Sequence, residues 1–143
     1  MTAFRGSIVT LGLSLTGLMI AAYLTWAHYS RSALVCSVGD CETVQSSRYA
    51  ELGGVPIAML GMAMFGVVIV LVAVRWWRPT LGDVASAGVI FLTLAATLYY
   101  AYLTWIEVFE LRAVCQWCVL SSLTVVGILI NEGWLYLHGS IDE

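Results

Sequence analysis

Four apolar stretches, each about as long as a membrane-spanning helix, dominate this 143-residue chain. They fall at about residues 7–28, 55–74, 84–106 and 115–137, and the last leaves only a short tail. A helix needs about 20 residues to cross the hydrocarbon core of a bilayer, where every backbone polar group must find an internal partner. The pattern therefore predicts an all-α integral membrane protein built as a bundle of four transmembrane helices.

The composition supports a membrane location. Hydrophobic residues make up 61% of the chain and charged residues 10%, the mean hydropathy is +0.92, and lysine is absent. Such a chain faces membrane lipid, and its net charge of −3 gives no indication of a nucleic-acid partner. The first apolar stretch is longer than the core of a signal peptide, and no clean cleavage site follows it. We therefore expect one domain over residues 1–143, with a retained first span.

A polar segment over residues 29–54 separates the first two spans and carries Cys36 and Cys41. The glycine pair at 53–54 and Pro56 mark its end, and proline is favoured where a helix opens. A disulfide between these cysteines would close a small loop, which removes little chain entropy. Weak, exposed disulfides are the ones that take part in exchange reactions. We expect a mobile loop with enough reach to touch the start of the fourth span.

The other cysteine pair, Cys115 and Cys118, opens the fourth span. Residues three apart lie on one face of a helix, with Cβ atoms about 5–6 Å apart, and the spacing is typical of redox-active pairs. The free N–H groups of a helix start and the nearby Arg112 favour a thiolate, whereas Glu107 and Glu110 oppose it. The pattern predicts a reactive sulfur of lowered pKa.

The number of spans places both cysteine pairs on one side of the membrane. The arginines do not show which side, because three fall on each: Arg5, Arg75 and Arg78 on one, and Arg31, Arg48 and Arg112 on the other. Thiols that cycle through disulfides belong in an oxidising compartment. We therefore predict cysteines on the periplasmic or extracellular side of the cell membrane and both termini in the cytoplasm.

Other interpretations of the four cysteines are a four-thiolate zinc site and two static disulfides in a structural protein. A c-type haem is excluded because Val119, not histidine, follows Cys118. Among the remaining residues, Trp117 belongs to an outer aromatic group that forms an interfacial belt or walls a pocket for a flat ring. Glu132 is expected at the inner interface or in the cytoplasm, with a buried proton-handling role as the alternative.

Together these motifs resemble the bacterial form of the vitamin K epoxide reductase (VKOR) family. The matching stretches are CSVGDCETVQSSRY over residues 36–49, GVP over residues 54–56 and CQWC over residues 115–118. They occur in the family's order, and the resemblance covers essentially the whole chain. It implies a four-helix bundle around a quinone, capped by the extracytoplasmic loop between the first two spans.

The resemblance also implies a role for each cysteine. Cys36 would exchange with a reduced thioredoxin-fold (DsbA-like) partner, and Cys41 would pass electrons to Cys115. Cys118 would face the quinone, either ubiquinone or menaquinone, and re-form the disulfide with Cys115. Many bacterial relatives carry a fused thioredoxin-like domain after the last span, whereas this sequence stops at Glu143, so the partner is expected in trans.

The quinone contacts depart from the family pattern. Ser47 matches a loop serine or threonine that the family places near the active site. Vertebrate enzymes hold their quinone with an asparagine and a tyrosine, but here Ser122 lies four residues after the last cysteine and the second span has no asparagine. We predict Cys118, Ser47, Trp117 and Ser122 as quinone contacts, and vitamin K epoxide itself is not an expected substrate.

These expectations describe a membrane thiol:quinone oxidoreductase that re-oxidises its partner and so supports disulfide formation in exported proteins. One alternative is a DsbB-type quinone reductase, which has its C-x-x-C in the first outer loop and a spaced pair in the second. That order is the reverse of the one here. The other alternative is a non-enzymatic membrane scaffold with two structural disulfides.

Overall fold

A computed structural model describes residues 2–31 and 34–139 of the protein. Residues 32–33 of the predicted loop and residues 140–143 of the predicted tail lie outside this part. The elements follow in the order α1 (Thr2–Ser30), α2 (Cys41–Ser46), a 3₁₀ turn (Arg48–Ala50), β1 (Glu51–Leu52), β2 (Val55–Pro56), α3 (Ile57–Trp77), a second 3₁₀ turn (Pro79–Leu81), α4 (Gly82–Ile106), a π-helical turn (Glu107–Leu111) and α5 (Gln116–Gly139).

Four of these helices, α1, α3, α4 and α5, are long and apolar enough to cross a membrane. Each packs against two of the others, so that the order around the bundle is α1, α3, α4, α5. The prediction of a helical bundle with four membrane-spanning segments is confirmed. The short α2 lies in the connection between α1 and α3, where the sequence predicted only a loop.

The second span begins at Ile57, two residues later than predicted, because β2 pairs with β1 in a small antiparallel hairpin. Gly53 and Gly54 form its two-residue turn, with φ of +61° and +84°. Two-residue hairpin turns need positive φ values, which glycine adopts without steric cost. Pro56 then precedes the first residue of α3, as its position in the sequence predicts.

The centre of the bundle is a close-packed apolar cluster with Phe65 of α3 fully buried in it. A Cβ atom on Gly17 of α1 would collide with the Phe65 ring. Small residues at such contacts let helices approach closely in lipid, where van der Waals packing drives association. The cluster comprises Ala21, Phe65, Val68, Val89, Val125 and Ile128.

A buried polar cluster joins all four long helices at the end of the bundle remote from the cysteines. Arg75 of α3 donates to both carboxylate oxygens of Glu132 of α5, at 2.9 and 3.1 Å. Thr10 of α1 donates its hydroxyl proton to the same carboxylate, and Arg75 also donates to Ser86 of α4 at 2.9 Å. The expectation that Glu132 is interfacial is wrong: it has no exposed surface, because Arg75 folds inward and neutralises its charge.

We expect Arg75→Met to destabilise the protein by about 3–5 kcal/mol, because it leaves the Glu132 carboxylate buried without its charge partner. The double variant Arg75→Met/Glu132→Leu removes both charges and should recover most of this loss. Denaturant unfolding in detergent measures both effects. Arg78→Met, at an exposed position on the same chain segment, is the matched control. Equal stability of the Arg75 and Arg78 variants would contradict the structural role of the ion pair.

Candidate active site

Two of the four cysteines are joined and two are free. Cys36 and Cys41 form a disulfide, the pairing that their short spacing predicts, and Cys115 and Cys118 are free thiols. Cys41 is buried, with 1% of its surface exposed, whereas Cys36 is half-buried. The disulfide is therefore less exposed than expected, and only the Cys36 side of it is open to a large partner.

The helix α2 starts at Cys41 because Asp40 caps it. The Asp40 carboxylate accepts hydrogen bonds from the backbone N–H of Thr43, at 3.1 Å, and from the Thr43 hydroxyl, at 2.6 Å. Aspartate is a favoured N-cap residue because its oxygens satisfy N–H groups that the first helical turn leaves free. These bonds lower the pKa of Asp40 and hold it as a carboxylate. The cap thereby fixes Cys41 at the first position of a helix.

The loop contacts the start of α5, as its reach led us to expect, and hydrogen bonds hold it there. The side-chain carbonyl of Gln116 accepts the backbone N–H groups of Ser37 and Val38, at 3.2 and 2.9 Å. The backbone N–H of Asp40 donates to the carbonyl of Val114 at 3.0 Å. These bonds satisfy backbone groups that would otherwise need water, and they bring the two cysteine pairs together.

A glycine is required where the loop meets this segment. Gly39 forms an isolated bridge with Cys115 and has φ of +90°. A Cβ atom at position 39 would collide with the carbonyl oxygen of Val114. Glycine both adopts positive φ and permits the close approach of two backbones. Gly39 is therefore part of the docking contact.

Trp117 holds the beginning of the loop from the other side. Its indole N–H donates to the carbonyl of Val35 at 2.9 Å, and its ring lies against the Tyr23 ring of α1, 5.2 Å between centroids. The Tyr23 hydroxyl accepts the N–H of Val35 at 3.1 Å. Trp117 thus contacts the loop backbone and does not line the cavity described below.

The docked loop places both cysteine pairs in one buried cluster. Cys41, Val44, Ala113 and Cys115 form its centre, and Cys36, Trp117 and Cys118 are among the residues packed against it. Cys115 has no exposed surface. A buried thiol next to a buried disulfide sulfur can exchange with it without competition from water or from other thiols.

The pKa of the Cys115 thiol is lowered to about 7, chiefly by a hydrogen bond with the Cys118 thiol. The backbone N–H groups of Trp117 and Cys118 lower it further, as expected for a sulfur at a helix start, while burial and the Glu107 carboxylate act in the opposite direction. The lowered pKa of Cys115 therefore comes from Cys118 and from the backbone at the start of the helix. The sequence had led us to assign part of it to Arg112.

A cavity of about 690 Å³, counting its open mouth, lies beneath the loop and between the helices. Cys118 is the cysteine that lines it. Apolar side chains form much of its wall, and its polar lining consists of Gln45, Ser47, Tyr49, Tyr100, Thr104, Glu107 and Ser121. A largely apolar cavity with few polar groups is typical of a site for a flat organic molecule.

Two hydrogen-bonding groups near Cys118 suit a ring that carries carbonyl oxygens. The hydroxyls of Tyr100 and Ser121 lie 2.7 Å apart, so one of their two protons remains available to a ligand. The side-chain amide of Gln45 donates to the Cys118 sulfur, at 3.6 Å. The residues present therefore fit a quinone, with polar donors at one wall and apolar surface around them.

Of the four residues predicted to contact the quinone ring, Cys118 and Ser47 line the cavity, whereas Trp117 and Ser122 do not. Ser47 lines the cavity and donates its hydroxyl proton to the carbonyl of Val44 at 2.7 Å. Ser122 donates to the carbonyl of Val119 at 2.8 Å and is not among the lining residues. Its neighbour Ser121 takes the place beside the cavity. Ser121 lies three residues after Cys118 and therefore on its helix face, a signal present in the sequence.

Metal binding has no obvious site in the part of the chain that the structure describes. Within residues 2–31 and 34–139, no group of three or more His, Cys, Asp or Glu side chains is arranged to hold a metal ion.

A comparison with protein families gives a match that covers most of the chain. The model of the vitamin K epoxide reductase family matches residues 8–132. The matched region contains all four cysteines, the docked loop and the cavity.

We expect Cys118→Ala to raise the pKa of Cys115 above about 7, because it removes the largest interaction that stabilises the thiolate. At pH 7 the thiolate fraction should fall from about one half to a small minority. The ultraviolet absorbance of the thiolate, titrated with the Cys36–Cys41 disulfide intact, measures the change. A matched Ser122→Ala variant should leave the midpoint in place. An unchanged midpoint in Cys118→Ala would contradict this origin of the shift.

Proposed function

The chain belongs to the vitamin K epoxide reductase family, and we propose that it carries electrons from a thioredoxin-fold partner to a membrane quinone. Membership of this family identifies the chain as a membrane thiol oxidoreductase. The four apolar helices of the chain identify it as a multi-pass membrane protein. Members of the family use quinones. The observation that carries the proposal is that the docked loop joins two cysteine pairs in one cluster whose last sulfur, Cys118, opens on a cavity.

The relay begins at Cys36, the more accessible sulfur of the loop disulfide. A thiolate of the partner attacks Cys36 and breaks its bond to Cys41, and the partner's second thiol then closes the partner's own disulfide. Val35 and Val38 flank Cys36 and are 70% and 73% exposed, so they offer apolar surface to a docking protein. The loop is left with two thiols, and the partner leaves oxidised.

Electrons then move inward through the buried cluster. Cys41 attacks Cys115 in the Cys115–Cys118 disulfide, which forms a Cys41–Cys115 bond and releases the Cys118 thiolate into the cavity. Cys36 next attacks Cys41, which restores the loop disulfide and leaves Cys115 and Cys118 as a dithiol. This is the arrangement of bonds in the structure, with Cys36 and Cys41 joined and the other pair free.

The last step is the oxidation of the inner dithiol. Two S–H bonds break and the Cys115–Cys118 bond forms, while two electrons and two protons pass to the quinone. The cavity would hold the ring between apolar walls, and the Tyr100–Ser121 hydroxyl pair would donate to a ring carbonyl. Each 30 mV of potential difference is worth about 1.4 kcal/mol for two electrons, so a more oxidising quinone drives the relay forward.

The orientation follows from the chemistry of the loop. Disulfides persist in oxidising compartments, so we place the loop and both cysteine pairs on the periplasmic or extracellular side and the termini in the cytoplasm. The partner is then a DsbA-like protein of that compartment, which in turn introduces disulfides into exported proteins. The identity of the quinone, ubiquinone or menaquinone, depends on the membrane in which the protein resides.

The family match and the site argue against the two alternatives. A DsbB-type enzyme has the reverse order of cysteine pairs, and the matched family model is a different one. In a scaffold with two structural disulfides, a cavity beside a free Cys118 thiol would have no role.

We expect Cys118→Ala to abolish quinone reduction by a reduced thioredoxin-fold protein, because no sulfur would then reach the cavity. The variant should still accept the partner's attack at Cys36. Rapid-mixing absorbance of the quinone and mass spectrometry of partner adducts measure the two steps separately. Normal quinone reduction by Cys118→Ala would rule out the relay.

A pair of two-cysteine variants tests the inward step itself. Cys36→Ala/Cys118→Ala leaves Cys41 and Cys115, which should form a disulfide on mild oxidation because both lie at the centre of the buried cluster. The matched variant Cys41→Ala/Cys118→Ala leaves Cys36 and Cys115 and should cross-link more slowly. Peptide mapping without reductant identifies the bonds. A faster cross-link in the second variant would assign the inward transfer to Cys36 instead.

Neighbouring serines provide a test of the quinone position. Ser121→Ala should raise the KM for quinone about 2- to 10-fold, the effect of losing a hydrogen bond worth about 0.5–1.5 kcal/mol. Ser122→Ala, one residue later and away from the cavity, should leave the KM unchanged. Steady-state kinetics with ubiquinone and menaquinone analogues measure both variants. A larger increase in KM for Ser122→Ala than for Ser121→Ala would instead support Ser122 as the quinone contact, as predicted from the sequence.

A further inference from the structure

Glu107 is a buried acid in the active site for which the relay described above has no use. It begins the π-helical turn after α4, it is 5% exposed, and it lines the same cavity as Cys118. Its side-chain oxygen Oε2 accepts the backbone N–H of Cys115 at 3.2 Å. The carboxyl group therefore lies between the inner cysteine and the space proposed for the quinone.

The π-helical turn directs the Glu107 side chain toward the interior of the protein. The backbone carbonyl of Glu107 accepts N–H groups from both Arg112 and Ala113, the latter at 3.0 Å. Arg112 adopts the left-handed conformation, with φ of +51°, and ends the turn. These bonds close residues 107–113 into a compact turn that leads directly to Cys115. Such π-helical turns are frequent at functional sites.

A buried carboxyl group is costly unless a charge partner or a function retains it. In residues 2–31 and 34–139 the salt bridges are His28–Glu51 and Arg75–Glu132, and neither includes Glu107. The ionisable groups around it are the thiols of Cys115 and Cys118, Tyr49 of the loop and Tyr100 of α4, while Glu110 of its own turn is exposed. Stabilisation by a cation is therefore not the reason for its burial.

The oxidation of the inner dithiol requires two proton transfers as well as two electron transfers. Cys118 lines the cavity and can release its own proton there, but Cys115 is fully buried and does not line it. Cys118 is hydrogen-bonded to the Cys115 sulfur but has a proton of its own to release, so a separate group between Cys115 and the cavity would serve the second proton. Carboxyl groups commonly serve as proton carriers. The Glu107 carboxyl group is hydrogen-bonded to the backbone of Cys115, and its charge acts on the Cys115 thiol.

We infer that Glu107 carries the proton of Cys115 into the cavity, which makes it an additional functional residue of the proposed reaction. The S–H bond of Cys115 breaks and an O–H bond forms on the Glu107 carboxylate. The carboxyl group then gives this proton to a ring oxygen, while the sulfurs of Cys115 and Cys118 join and supply the two electrons. Glu107 ends as it began, so it is a carrier and is not consumed.

The other polar residues of the site do not meet this requirement. Gln45 carries an amide, which neither gains nor loses a proton at ordinary pH, and it contacts Cys118 and not Cys115. Tyr100 and Ser121 bond to each other on the wall formed by α4 and α5. Glu107, in contrast, lines the cavity, is ionisable and is hydrogen-bonded to the backbone of Cys115.

The test compares two substitutions that separate proton transfer from structural support. Glu107→Gln keeps the length of the side chain and an oxygen that accepts the Cys115 N–H, but it cannot carry a proton. Glu107→Asp keeps the carboxyl group and shortens the side chain by one carbon. We expect single-turnover quinone reduction to fall about 100-fold in Glu107→Gln and considerably less in Glu107→Asp, since general acid–base groups contribute about 10²–10⁴-fold. A purely structural role predicts the opposite order.

Two further readouts do not depend on turnover. The exchange of Glu107→Gln with a reduced thioredoxin-fold protein in the absence of quinone should match that of wild type, because this exchange takes place at Cys36, which does not line the cavity that Glu107 lines. The titration of the Cys115 thiolate should move below about 7 in Glu107→Gln, since the Glu107 charge raises the pKa of that thiol. Glu110→Gln, three residues later and exposed, is the matched control and should change neither quantity.

The inference rests on the proposed function, and the two can fail separately. If wild-type protein reduces no quinone, the proposed function is wrong. If wild type reduces quinone and Glu107→Gln does so at the same rate, or if Glu107→Asp is the slower variant, the proton-carrying role is wrong. Loss of partner exchange in Glu107→Gln would likewise overturn it, because that result indicates a general disruption of the loop and turn.

Discussion

The hydrogen bonds between the loop and the start of α5 hold the active site together. The loop backbone pairs with the segment before α5 through Gly39 and Asp40, and Gln116 accepts two further N–H groups from it. Because these bonds satisfy backbone groups near the membrane surface, undocking the loop would expose unpaired polar groups as well as two buried cysteines. Docking thus holds Cys41 and Cys115 in one buried cluster.

The same contact makes the four sulfurs unequal. Cys36 is accessible from outside, Cys41 and Cys115 are buried next to each other, and Cys118 opens on the cavity. Burial prevents the inner thiols from reacting with unrelated thiols, and the hydrogen bond from Cys118 gives Cys115 a lowered pKa. The four sulfurs therefore run from the accessible Cys36 to the cavity at Cys118, which is the order that the proposed relay requires.

The sequence predicted the features that depend on local pattern. Hydropathy located the four spans to within a few residues, Pro56 located the start of α3, and the spacing of Cys36 and Cys41 predicted their disulfide. The contact between the loop and the start of α5 was expected from the reach of the loop. The hydrogen bonds that hold it there were missed, because they depend on Gln116, whose partners lie nearly eighty residues away. Glu132 was misplaced for a similar reason, since its burial depends on Arg75, 57 residues earlier in the chain. The side-chain direction of Ser121 and of Ser122 depends on helix packing, which no single segment specifies.

The central claim is that oxidation of a thiol partner and reduction of a quinone are two halves of one reaction. The direct measurement uses wild-type protein in lipid vesicles that contain quinone, with a reduced thioredoxin-fold protein added outside and oxygen removed. We expect disulfide in the partner and quinol in the membrane to appear together in equal amounts, with multiple turnovers per protein. Partner oxidation without quinol, or no reaction at all, would contradict it.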